Sequence, residues 1–264
     1  MFIMGEQMSD ELVLIESIAR DVMALTLNRP DKRNALNIPL LEALCRAIED
    51  AHARQARVIV LRGAGKAFCA GLDLSEAADP SKAQESAQWI AQTLETISHS
   101  RAVTIAVVQG AAIAGGAGIM SACDIVVAEE SAKIGYPEVR RGLVAGLVMT
   151  FLRRQLRERD ARELLLLGEP IDAQRAKEIG LVNRVVPEGA ALGTALEVAD
   201  TLLKGAPGAL AHSKQMLNDL WPKPLESDLA WALNHHKNVR ASREAREGIA
   251  AFNEKRKPNW DASV

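Results

Sequence analysis

The run AVTIAVVQGAAIAGGAGIMSAC, residues 102–123, holds no charged side chain, and its reading decides the fold. By length it could cross a bilayer, because about 20 apolar residues span the hydrocarbon layer. Its interior argues against that. Gln109-Gly110 interrupts it, and Gly115, Gly116 and Gly118 follow closely; in a helix interior each glycine costs about 1 kcal/mol relative to alanine. The first part, Val103–Val108, is rich in β-branched residues and fits a strand buried on both faces. The second part, Gly110–Gly118, reads as a glycine turn leading into a helix that holds Ile119, Met120 and Ala122. Strand, glycine turn and helix form the working unit of an α/β protein.

The flanking sequence echoes this unit only loosely, at residues 58–71. Val58–Leu61 is a compact strand that stops at Arg62-Gly63-Ala64-Gly65. Leu12–Ile18 and Val22–Asn28 read as two strands around a turn at Ala19-Arg20-Asp21. Asn37 caps a helix with Pro39 in its first turn, and a polar amphipathic helix is expected over Ser81–Ser100. Asp124–Ala128 is a further strand. From Gly142 the pattern turns helical, over Leu143–Arg154, Arg159–Leu167, Ala173–Ile179 and Ala190–Lys204, with an extended piece at Leu181–Pro187. Helices follow near Gly208–Leu220, Leu225–Ser242 and Arg243–Phe252. The expected organisation is an α/β core over residues 11–200 and a helical region over 201–264.

Composition narrows the function. The 264 residues carry 32 basic and 34 acidic side chains, a net charge of -2, so no basic field invites nucleic acid or an anionic membrane. Alanine is the commonest residue (43), and glycine reaches 18, against four Trp, one Tyr and four Phe. The opening residues MFIMGEQMSD lack the basic start of a signal peptide, and three distant cysteines (Cys45, Cys69, Cys123) suit a reducing, cytoplasmic setting. Arg62–Ala67 lacks the Ser/Thr of a phosphate loop. Gly116–Ser121 lacks the last glycine of a dinucleotide fingerprint, and Ser121 is not in a nucleophile elbow. His235 and His236 are adjacent and cannot both face one metal from a helix, and the five histidines read as surface or cap residues; no metal site is expected.

Two similar constructions remain. Val58–Leu61 leads to Lys66-Ala67-Phe68-Cys69-Ala70-Gly71-Leu72-Asp73, and Val103–Val108 leads to Gly110–Gly116. Small residues at such turns let the backbone approach a ligand and leave N–H groups free, and the second turn feeds a helix N-terminus. Two convergent N–H groups can hold an oxyanion. Tight packing of a small-residue core would need the same residues.

Between these readings, a resemblance is informative. Leu27-Asn28-Arg29-Pro30 with Asn34-Ala35-Leu36-Asn37, then Phe68–Asp73, Cys123-Asp124-Ile125, Tyr136-Pro137-Glu138, Ala176–Val185 and Arg246–Lys257 occur in the order found in the crotonase, or enoyl-CoA hydratase/isomerase, family. The chain resembles that family from about residue 11 to 260. The resemblance implies a crotonase-like spiral of strand-strand-helix units with a helical C-terminal region. It implies an acyl-CoA substrate, with coenzyme A as part of that substrate and no separate cofactor. The thioester oxygen would be held by amides matching Ala70 and Gly115. Arg33, Ala35 and Leu36, with Ala70, Gly71, Leu72 and Asp73, would line the coenzyme A path, and Phe252 and Lys255 would reach an adjacent subunit's ligand. A trimer or dimer of trimers is implied, with the late helices at the interface.

Hydration in the family uses two glutamates, as paired acid/base work requires. The first position falls on Gly118 and is empty; the second falls on Glu138, the expected general acid/base. A single carboxylate leaves hydration and double-bond isomerisation both open. Arg140 and Arg141 stand close by, able to meet a polar acyl group or to cap surface carboxylates. The alternative is a catalytically silent acyl-CoA-binding scaffold.

Overall fold

The computed structural model describes residues 11–73, 76, 79–220 and 225–259; the opening segment read above lies outside them. Two antiparallel strands begin the chain, β1 (Val13–Ala19) and β2 (Val22–Leu27), turning through Asp21 at φ 59°. Then β3 (Val58–Gly63), β4 (Val103–Val108), β6 (Ile125–Glu129) and β9 (Arg184–Val186) add in parallel, completing a six-stranded sheet in the order β1-β2-β3-β4-β6-β9. Every residue of β2 and β4 is buried. The cause is cover on both faces. Leu25, Ile59, Leu61 and Ala106 belong to one apolar cluster with α1 (Ile38–Ala53) and α2 (Pro80–Ser98). Val58, Val60, Ile105 and Val107 belong to another with α7 (Ala191–Leu203). Strands sandwiched this way show continuous apolar runs rather than alternation.

The stretch read as a glycine turn contains a strand. Ala111–Ile113 forms β5, which pairs with β7 (Lys133–Gly135), itself paired with β8 (Ile171–Asp172), in a small second sheet. Elements of two or three residues are too short to show a period. After β5 come α3 (Gly115–Ala122), α4 (Gly146–Gln155), α5 (Glu158–Leu167) and α6 (Ala173–Glu178). Helix was expected from Leu143, yet Leu143–Ala145 stay outside it. Gly142 turns at φ 66° and the Leu143 N–H returns to the Glu138 carbonyl at 3.0 Å, which holds these residues as a loop.

The C-terminal helices are α8 (Pro207–Asp219), α9 (Leu225–Arg240) and α10 (Arg243–Asn253). α9 packs on α2 and α4, and α10 packs on the 3₁₀ turn Pro137–Arg141. Leu225, Leu229 and Ala232 of α9 belong to the main core together with residues of β2, β3 and α1. Among the described residues no helix is long and apolar enough to cross a membrane.

Candidate active site

The two glycine-bearing turns meet, and Asn34 is the reason. Fully buried and at φ 55°, it donates through Nδ2 to the carbonyls of Ala64 (2.9 Å), Ala67 (2.8 Å) and Phe68 (3.2 Å), and accepts from the Arg29 N–H (2.9 Å). That clamps the loop after β3 onto the segment before α1. Gly71 follows at φ 94°, where an added Cβ would stand 2.8 Å from the Ile113 carbonyl oxygen, so only glycine fits. The Leu36 N–H donates to the Gly71 carbonyl and the Asp73 N–H donates to the Leu36 carbonyl, each at 2.8 Å. This bridge directs the Leu72 N–H away from Leu36, and among the described residues it has no acceptor.

This geometry corrects the assignment of Ala70. Its N–H donates to the Arg33 carbonyl at 3.0 Å and is not available to a thioester. The free amide lies two residues further on, at Leu72. As the first residue of α3, Gly115 has an N–H without an intrahelical acceptor. Ala114, just before it, sits at φ 50°, ψ -122°, a strained conformation for alanine, held by its N–H bond to the Gly135 carbonyl (2.8 Å).

Leu72 and Gly115 open onto one narrow cavity of about 40 Å³, together with Glu138, Arg141 and His236. Its other walls are largely apolar, among them Ile90, Leu143, Leu147 and Val148. Buried Tyr136, bonded through its hydroxyl to Ser121 (3.0 Å), anchors the 3₁₀ turn that presents Glu138. Glu138 is 9% exposed, and among the described residues its Oε2 has no hydrogen-bond partner. Burial pushes its carboxyl up to about 7, against a smaller lowering by its own backbone N–H and by Arg141. At Gly118 an added Cβ would lie 2.9 Å from Val148 Cγ2 and 3.7 Å from Leu94 Cδ2. The position of the missing carboxylate is thus walled with hydrocarbon.

The neighbouring arginines part company. Arg140 is exposed and donates to Glu169 (2.7 Å) and to the Leu167 carbonyl (2.9 Å). Arg141 lines the cavity, stacked 4.5 Å above the Phe252 ring, with no hydrogen bond or ion pair among the described residues. Phe252 therefore supports the site of its own chain, and neither it nor the exposed Lys255 lines the cavity. Of the other residues expected on the coenzyme A path, Arg33 is exposed and Ala35 half-buried. Leu36 is buried beside Gly115, and Asp73 pairs with Arg29 at 2.9 Å. Cys69 and Cys123 are buried thiols pushed up to about 12, which removes them as nucleophiles.

Sequence reasoning missed His236. It lies 7% exposed on α9, with Nδ1 3.3 Å from the Val144 carbonyl and Nε2 unpartnered. The buried face of that helix runs Leu225, Leu229, Ala232, His236 and Arg240, a three-and-four spacing that carries His236 inward. The signal was present in the helical period.

Sequence comparison adds a family. The profile described as enoyl-CoA hydratase/isomerase matches residues 17–263. A Thermus thermophilus protein named for enoyl-CoA hydratase activity is 39% identical over 245 residues, covering 90% of this chain and 97% of that protein. The 2,3-dehydroadipyl-CoA hydratase of Escherichia coli is 35% identical over 249 residues, covering 94% and 98%. The crystal structure of an enoyl-CoA hydratase from Mycobacterium avium superposes with a TM-score of 0.86 at 34% identity, covering 96% of this chain and all of that one.

Proposed function

The chain belongs to the enoyl-CoA hydratase/isomerase family, and on that premise we propose that it performs enolate chemistry with one carboxylate. The observation that carries this reading is that Leu72, Gly115 and Glu138 line one cavity, and that among the described residues the two N–H groups and Glu138 Oε2 have no hydrogen-bond partner. The thioester carbonyl sits between the two amides. Glu138, as carboxylate, removes a proton from C2; the electron pair moves into the carbonyl, and the two N–H groups hold the resulting enolate. One such donor is worth about 2.7–4 kcal/mol of barrier where it has been measured. Returning the proton at C4 moves a 3-enoyl double bond to the 2-position with no second side chain. Coenzyme A enters with the substrate, and no separate cofactor is needed. A trimer or dimer of trimers is the assembly we expect from the family resemblance.

Arg141 supports a second layer of this reading. An unpaired guanidinium at the cavity suits an acyl chain carrying an anionic group. A silent acyl-CoA-binding scaffold would have no use for a buried, unpartnered carboxyl held near 7.

The test is a panel of 2-enoyl and 3-enoyl thioesters, with plain and carboxylated acyl chains. Conversion of the 3-enoyl members is expected, with kcat/KM rising as pH increases through about 7, where Glu138 ionises. Binding of thioesters without turnover or C2 proton exchange would instead establish the scaffold.

A further inference from the structure

Among the described residues lining the cavity, two side chains offer a hydrogen-bond acceptor, Glu138 and His236. Both are at least nine-tenths buried, and each has one acceptor atom without a partner, Oε2 and Nε2. The His236 tautomer follows from its other nitrogen. Nδ1 lies 3.3 Å from the Val144 carbonyl oxygen, which can only accept, so Nδ1 carries the hydrogen and Nε2 presents a lone pair. Burial also favours the uncharged ring, as does Arg240 one turn further along α9. The atoms nearest to a side chain placed at Gly118 are hydrocarbon, from Val148 and Leu94.

We propose that His236 Nε2 accepts the O–H of a water that adds to C3 of a 2-enoyl thioester, supplying from α9 the second acid/base group missing at Gly118. This rests on the enolate reading above. As the oxygen–C3 bond forms, the water proton passes to Nε2. The C2–C3 π pair shifts toward C1, and the charge on the carbonyl oxygen is held by the Leu72 and Gly115 N–H groups. Protonated Glu138 then delivers its proton to C2 as the enolate collapses. One water is consumed per thioester, and the imidazolium and carboxylate exchange a proton with solvent to reset. Isomerisation leaves His236 idle, so the two reactions separate its role from that of Glu138.

His236→Gln and His236→Asn, checked for native circular dichroism, are compared with wild type on two readouts. One is hydration of 2-butenoyl-CoA; the other is deuterium exchange at C2 of butanoyl-CoA. The expected result is wild-type hydration, a loss of about 100-fold in its kcat in the variants with little change in KM, and exchange held within about threefold. Hydration by the variants within about twofold of wild type would overturn the proposal. So would equal loss of hydration and exchange in folded variants, which assigns His236 a merely structural part. Wild-type exchange without hydration overturns the role of His236 and leaves the enolate reading standing; absence of wild-type exchange removes both.

Discussion

The site of Lys214 and the cavity around Glu138 both bury ionisable side chains, and they treat them in opposite ways. Between α8 and the sheet, Lys214 Nζ donates to Asp124 Oδ2 (2.7 Å) and to the carbonyls of Ala102 (3.2 Å) and Ile97 (3.5 Å). Asp124 Oδ2 also accepts from the N–H (2.7 Å) and hydroxyl (2.9 Å) of Thr104. Each ammonium hydrogen has an acceptor. Around the cavity the pattern reverses: among the described residues Glu138 Oε2 and His236 Nε2 have no hydrogen-bond partner, and Arg141 makes no hydrogen bond, only a stack on Phe252 and a charge interaction with Glu138. Leaving a buried polar atom unsatisfied costs about 1–3 kcal/mol, so the second arrangement is stable only because the rest of the fold holds it. Paired burial secures the fold; unpaired burial leaves polar atoms open, as the proposed enolate chemistry requires.

If that contrast is right, mutations at the two places separate activity from stability. The largest effect is expected for Glu138→Gln, a loss of about 10²–10⁴ in kcat for C2 proton transfer with Tm unchanged or raised, read from turnover and calorimetry. Lys214→Met should do the reverse. Removing one partner of a buried pair costs about 3 kcal/mol here, given the partial exposure of Asp124. That lowers Tm by roughly 6–10 °C while kcat stays near wild type below the transition. A fall in activity without a fall in Tm would break the comparison.

The pH dependence of stability sharpens it further. Glu138 titrates near 7 in the folded chain against 4.5 for an ordinary glutamate. Between those values the folded chain binds more protons at this residue than the unfolded chain does, so stability falls as pH rises. The contribution is fully present below 4.5 and gone above 7; by linkage it amounts to at most about 3 kcal/mol. Urea denaturation of wild type and Glu138→Gln at several pH values isolates it, because other groups cancel in the difference. The smallest effect is expected at Ala114→Gly. Relief of the strained φ 50° should stabilise by about 1 kcal/mol, measured by the urea midpoint.

The sequence made the large elements legible and left the fine geometry hidden, for identifiable reasons. β3 and β4 are β-branched runs ended by polar or glycine residues, and Asn37 with Pro39 marks the start of α1, whose Leu40 N–H it caps at 3.1 Å. β5, β7 and β8 could not be seen, since two or three residues carry no period. Glu138 was legible only through its place after Tyr136-Pro137. The error at Ala70 has a different origin. Which amide stays free depends on the pairing of Leu36 with Leu72, and no local pattern in Phe68–Asp73 specifies that contact. His236 was obscured by its neighbour. Adjacent residues on a helix point about 100° apart, so His235 stacks at the surface on Trp231 while His236 turns inward.

In the proposed chemistry Leu72, Gly115 and Glu138 together make the C2 protons of an acyl-CoA removable. Incubation of butanoyl-CoA with the protein in deuterated water, followed by mass spectrometry, tests it without presuming hydration or isomerisation. We expect wild type to incorporate deuterium at C2 and Glu138→Gln to do so at least about 100-fold more slowly. Incorporation by the variant at the wild-type rate, or thioester binding by wild type with no incorporation, would contradict the account.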